Sequence, residues 1–175
     1  GKGKKYLKNI SITLSKLLSA VKVKNLIFLN YVPELEGFLY WCQQLISESL
    51  GKNGKGFLPL ISNAPKDHHS LLQLYLDGPR DKLFYIFSYD RPLGENIKLK
   101  KISNFMNFFE KKSITAIKHA QKNALLKTLK KKRIPFREFK IRSLDEKVLG
   151  QLFSYFILET VIIGKLTNVN PFDQP

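Results

Sequence analysis

The chain has 175 residues, 43% of them hydrophobic, and a formal net charge of +16. That length fits one domain and that composition fits a packed core, which excludes a disordered chain. One cysteine, Cys42, excludes an internal disulfide and fits a reducing, cytoplasmic setting. No apolar run approaches the roughly 20 residues of a membrane span, so no membrane is expected. The basic start GKGKKYLKN leads into no signal-type apolar stretch.

Residues 5–22 place Leu7, Ile10, Leu14, Leu17, Leu18 and Val21 at helical spacing. NLIFLNYV (25–32) is a short apolar run of the kind that forms a buried parallel strand. Pro33, Glu34 and Glu36 suit a helix start, and the helix runs to about Leu50 with Gly51 as its stop. GFLPLISNA (56–64) reads as a second strand, weakened by Pro59. Asp67 is an N-cap candidate for a helix through HHSLLQLYLDG. KLFYIFSY (82–89) is the clearest strand, and a loop with Pro92 and Gly94 follows. Residues 102–133 are helical in two pieces with a break near Ser113, and IPFREFKI (134–141) alternates as a strand. The last stretch, 143–166, opens with Ser143-x-x-Glu146, a capping box, and forms a long, mostly buried helix. Beyond it, Asp173 and Pro175 are spaced as a helix start, so the chain is expected to be cut from a longer one. Strands alternating with helices predict an α/β fold: a three-layer sandwich of a single domain over 1–175 with a mostly parallel sheet of about five strands.

The charge is regional. Residues 98–142 hold 15 of the 30 basic residues and only two acids, Glu110 and Glu138. Such an excess raises nucleic acid as a partner. KTLKKKR (127–133) lacks interleaved aromatics, and no zinc-finger, helix-turn-helix or RNP pattern accompanies it. A solvated basic face at a helix end is the better reading, and an RNA-binding domain is kept as a third.

Two stretches could carry chemistry. In ESLGKNGKGFLP (48–59), Glu48 falls in the last turn of its helix, where the dipole disfavours a negative charge by about 0.3–1 kcal/mol. It is either a solvated surface carboxylate or a general base beside a cationic glycine loop that an anionic substrate could approach, with Gly51 and Lys52 on the substrate side. GKNGKG lacks the P-loop spacing. In KDHHSL, His68 and His69 occupy a first helical turn. Neighbours on a helix point about 100° apart and chelate poorly. With Cys42 and His119 as the remaining soft ligands, no metal site is expected. The pair is either two exposed polar residues or imidazoles kept neutral by the helix N-terminus and able to move protons to and from sugar oxygens.

LISESLGKNGKGFLP and DHHSLLQLYLDG resemble the corresponding stretches of the phosphoglucose isomerase family. LGQLFSYFILETVIIGKLTNVNPFDQP is similar to that family's C-terminal signature through its G-x-L-x-N-V-N-P-F-D-Q-P end. The resemblance covers most of 25–175 and is least specific between 98 and 133. It implies one of two sugar-isomerase (SIS) domains, the C-terminal one, with a flavodoxin-like doubly wound sheet. It implies interconversion of glucose 6-phosphate and fructose 6-phosphate without a cofactor, in a homodimer whose catalytic histidine comes from the neighbouring subunit. Glu48 takes the place of the family's catalytic glutamate and His69 that of its ring-opening histidine. His68 matches no functional position, and Leu50 stands where the family usually has asparagine. The family's phosphate loop, its arginine near the enediolate and its C-terminal lysine lie outside this chain, so the chain by itself is expected not to isomerise. Ligands of doubly wound sheets sit at the carboxyl ends of the strands, so Glu48 is expected in or beside a cleft there. A non-catalytic sugar-phosphate-binding regulator of the same fold is the second reading; a hydroxyl-rich phosphate loop, which such a regulator would keep, is not evident.

Overall fold

The computed structural model describes residues 12, 23–90 and 113–173. The helix expected over 5–22, the Pro92–Gly94 loop and the first piece of the helix expected from 102 lie outside these residues.

Four strands form one sheet: β1 (Asn25–Asn30), β2 (Leu58–Asn63), β3 (Lys82–Tyr89) and β4 (Phe136–Ile141). Their order is β2-β1-β3-β4, and every pairing is parallel. The expectation was about five strands in a mostly parallel sheet; the described residues hold four, all parallel. The central strands β1 and β3 are buried almost throughout, which is why they are apolar runs without alternation. β2 lies at an edge, and this admits Pro59. The Leu58 N–H donates inward to Lys24 O at 2.8 Å, so the next residue's groups point outward. A missing N–H costs nothing there, and the Pro59 carbonyl accepts from Gln43 Nε2 at 2.7 Å.

The helices are α1 (Glu36–Leu50, entered through a 3₁₀ turn at Pro33–Leu35), α2 (Lys66–Asp77), α3 (Ile114–Lys131) and α4 (Glu146–Leu166). α1 and α4 cover one face, where Leu39, Cys42, Ile46, Phe156 and Ile163 meet Leu26, Phe28, Tyr85 and Phe87. α2 and α3 cover the other, where Tyr75, Leu125 and Leu129 meet Ile27, Leu29, Phe84 and Ile86. Each helix returns the chain from the carboxyl edge of the sheet to its amino edge, as parallel pairing requires.

Two helix-start expectations change, and the break expected near Ser113 is the start of α3. Asp67 does not cap α2: Pro65 is at the N-cap, and the Asp67 carboxylate accepts from the Asn63 N–H at 2.7 Å. At α4 the cap is Asp145 rather than Ser143; its Oδ1 accepts from the Val148 N–H at 2.8 Å, and the Ser143 hydroxyl donates to its Oδ2 at 3.1 Å. The Val148 bond, then the Ser143 bond, lower the Asp145 pKa. Ser113 caps α3 through its hydroxyl, which accepts from the Ala116 N–H at 3.2 Å. α4 is the one described helix long and apolar enough, by length and composition, to cross a membrane. Glu159 in its middle hides that length from a search for uninterrupted apolar residues. Here the Leu152, Phe156 and Ile163 side of α4 faces the sheet.

Candidate functional site

Glu48 lies in the last turn of α1, as the sequence predicts, and is exposed. Its edge of the sheet differs from the expected one. The helix begins at the carboxyl edge, where Asn63 Nδ2 donates to Glu36 Oε1 at 2.8 Å, and passes Pro59 at Gln43. It therefore ends at the amino edge, and so does Glu48. The carboxyl-edge rule for ligands concerns loops that leave strands, whereas Glu48 belongs to the loop that enters one.

The glycine loop is a tight turn. Asn53 and Gly54 have φ of 54° and 70°, and the Lys55 N–H donates to Lys52 O at 2.9 Å, the signature of an Asn-Gly type I′ turn. Gly51 and Gly56 are needed for close approach: a Cβ at Gly51 would stand 2.6 Å from Ser47 O, and one at Gly56 2.9 Å from Leu50 O. The turn sets Lys52 and Lys55 side by side, facing the end of α4. Lys52 Nζ donates to Asn170 O (3.0 Å), to Asp173 Oδ1 (2.7 Å) and to the Asp173 carbonyl. Lys55 Nζ donates to Thr167 O (2.9 Å) and Asn168 O (3.2 Å). The three ammonium N–H groups of Lys52 are thus all committed. Lys52, expected on the substrate side, has none left for a phosphate, and neither lysine neutralises Glu48. Among the described residues the Glu48 carboxylate has a neutral partner, Gln44 Nε2 at 2.9 Å, and no cation within ion-pair distance.

His69 sits at the opposite edge. It is exposed in the first turn of α2, just past the carboxyl end of β2. Beside it His68 is half-buried, and its Nε2 lies 2.8 Å from the Tyr31 hydroxyl. Burial lowers the His68 pKa against the opposing Asp67 charge, and burial raises that of Tyr31. Both shifts favour the neutral forms, a phenol hydrogen-bonded to a neutral imidazole. The six residues of β1 separate the two edges by about 20 Å at roughly 3.3 Å per residue. Glu48 and His69 of one chain cannot touch the same sugar ring.

Three of the basic residues described between 113 and 142 are engaged within the fold. Lys122 is buried and donates to Glu138 Oε1 at 2.7 Å, where the Ser88 hydroxyl also donates at 3.0 Å. Lys132 pairs with Asp77 at the end of α3. Arg137 is enclosed by Glu159, Tyr85 and Tyr155. Sequence reasoning passed over these groups. A Lys on the buried stripe of α3 and a Glu inside the apolar run of α4 were the available signals.

A parallel sheet in this order with helices on both faces defines a doubly wound α/β domain of flavodoxin-like winding. No protein-family model matches the chain. Individual proteins do. It is 34% identical to a glucose-6-phosphate isomerase of Methanocaldococcus jannaschii over 152 residues, 85% of this chain and 37% of that protein. It is 31% identical to a probable glucose-6-phosphate isomerase of Methanococcus maripaludis over 149 residues, 85% of this chain and 33% of that protein. Among solved structures, a hypothetical protein from Thermus thermophilus superposes with a TM-score of 0.81 at 25% identity, over 94% of this chain and 41% of that one. A glucose-6-phosphate isomerase from Chlamydia trachomatis shares the fold with a TM-score of 0.71 at 18% identity, over 96% of this chain and 35% of that one. The chain is similar to the glucose-6-phosphate isomerases, and it spans about a third of the length of the curated relatives it matches.

Proposed function

We propose that this chain is the part of a glucose-6-phosphate isomerase that supplies the general base, Glu48, to one active site and a ring-opening histidine, His69, to another. The observation that carries the reading is the Glu48 carboxylate. It stands exposed at a helix end, with no cation at ion-pair distance among the described residues, next to two lysines that are bonded elsewhere.

The chemistry needs one carboxylate. His69 assists opening of the cyclic sugar by moving a proton to the ring oxygen. Glu48 then removes the C2 proton of the open aldose. The electron pair forms the C1–C2 double bond, and the C1 carbonyl oxygen is protonated to give the cis-enediol. Loss of the C2 hydroxyl proton re-forms a carbonyl at C2, and Glu48 returns its proton to C1. One carboxylate serves both carbons because they are a single bond apart. The substrate is a sugar phosphate, and its phosphate finds no free donor at Lys52, whose N–H groups are committed.

The separation of Glu48 from His69 requires two copies for one complete site. A two-fold dimer provides this, each copy giving its base to one site and its histidine to the other. The test is complementation. Glu48→Gln and His69→Ala forms of the full-length protein are prepared separately, then unfolded, mixed in equal amounts and refolded. Half the dimers are mixed, and each mixed dimer has one intact site, so about a quarter of wild-type activity is expected. Activity no higher than the sum of the two parents would place both residues in one chain's site or remove one of them from catalysis.

A further inference from the structure

We infer that Lys52 and Lys55 are positioning residues: together they clasp residues 167–173 and hold that segment at the edge of the sheet where Glu48 stands. The inference rests on the reading of Glu48 as the base and concerns what that base faces. Thr167 closes α4, and Asn168 follows with φ of 55°. The Val169 N–H returns to Gly164 O at 2.8 Å, so the last turn is closed by its own backbone. That closure fixes the chain only as far as Val169. Beyond it, Lys52 reaches Asn170 and Asp173. The two ammonium groups stand at the negative end of the α4 dipole, where cations are favoured.

The parts joined are distant in sequence. Lys52 and Asp173 are 121 positions apart, and Lys55 and Thr167 are 112 apart. The type I′ turn makes the clasp two-pronged, because it brings positions 52 and 55 together. The loop's glycines therefore serve docking of the chain on itself, three to eight residues beyond the carboxylate. The Lys52 side chain is 9% exposed and that of Asp173 is 59% exposed. The buried lysine is the fixed half of the contact and Asp173 the replaceable one.

The functional consequence is geometric. A substrate whose C2 lies at Glu48 is bordered by residues 167–173, so release of the segment misplaces the reacting carbons without removing the phosphate's own contacts. Positioning errors of about 1 Å can cost on the order of 10²-fold in rate. Lys52→Met in the full-length protein is expected to lower kcat by about 10–100-fold with KM nearly unchanged, and Lys52→Arg to restore most of the loss. Amide exchange gives a readout independent of activity. In Lys52→Met the Phe172 and Asp173 amides exchange faster while those of β1 keep their protection. Asp173→Asn keeps the carbonyl acceptors and shows a smaller change, and it serves in place of Lys52→Met should that variant fail to fold. A rise in KM with kcat held would make Lys52 a substrate-binding group and overturn the inference. Unchanged exchange at 170–173 would overturn it as well. Full activity in Glu48→Gln would remove the base while leaving the exchange result to decide the clasp.

Discussion

Glu48→Gln in the full-length protein is expected to lower kcat by about 10²–10⁴-fold, the usual contribution of a positioned acid–base group. Glutamine keeps the shape of the side chain and its hydrogen bond with Gln44, so folding and KM should hold. A base acts only in the transition state, and its loss therefore appears in kcat and in kcat/KM alike. A coupled assay with both sugar phosphates as substrates measures the effect. A change below about threefold would show that the carboxylate is a solvated surface group. The purified 175-residue chain should give no turnover above its own Glu48→Gln control. On the proposed function its phosphate-binding group lies in another part of the enzyme, and turnover proportional to chain concentration would mean that this chain holds a complete site.

Much of the fold was legible because the central strands obey a simple rule. β1 and β3 are buried on both faces and read as apolar runs, and the alternation over 134–141 marks β4 as a strand, with Phe136 packed on one face and Phe139 on the other. Helix starts were less legible. Ser143 and Asp145 are both good caps, and local sequence does not say from which one the helix axis will leave. The helix end of Glu48 was legible, and the edge of the sheet on which it stands was not. The winding itself contained the correction, since a helix that follows a parallel strand must end at the amino edge. The lysine clasp was invisible because its partners lie more than a hundred residues away and four of the five acceptors are backbone carbonyls, which have no sequence signature.

The group on the α4 face offers the largest stability effect. Arg137 leaves β4 and donates from Nη1 to Glu159 Oε1 at 2.5 Å and to the Tyr85 hydroxyl at 2.9 Å. Its Nη2 donates to the Tyr155 hydroxyl. Tyr85 in turn donates to Glu159 Oε2 at 3.2 Å, and Tyr155 to Oε1 at 3.1 Å. The guanidinium lies 4.8 Å from the Tyr85 ring centre and 5.1 Å from that of Phe139. Burial alone would lower the Arg137 pKa, but Tyr85, Glu159 and Tyr155 together raise it, so the charge is kept. Glu159 is 2% exposed and depends on that charge.

Arg137→Met removes the counter-charge and leaves a buried carboxylate unpaired, which costs about 3–5 kcal/mol. With an m-value of about 2 kcal/mol per molar, the urea midpoint should fall by roughly 2 M. Arg137→Lys keeps a charge and loses the planar fork, and it should fall between the two. The deciding measurement is the double variant Arg137→Met/Glu159→Leu. Replacing a buried pair by apolar side chains is often neutral or stabilising, so the double variant should recover most of what the single one loses. A double variant no more stable than Arg137→Met would mean that the stacking of Arg137 on Tyr85 and Phe139, and not its charge opposite Glu159, is what holds α4 to the sheet.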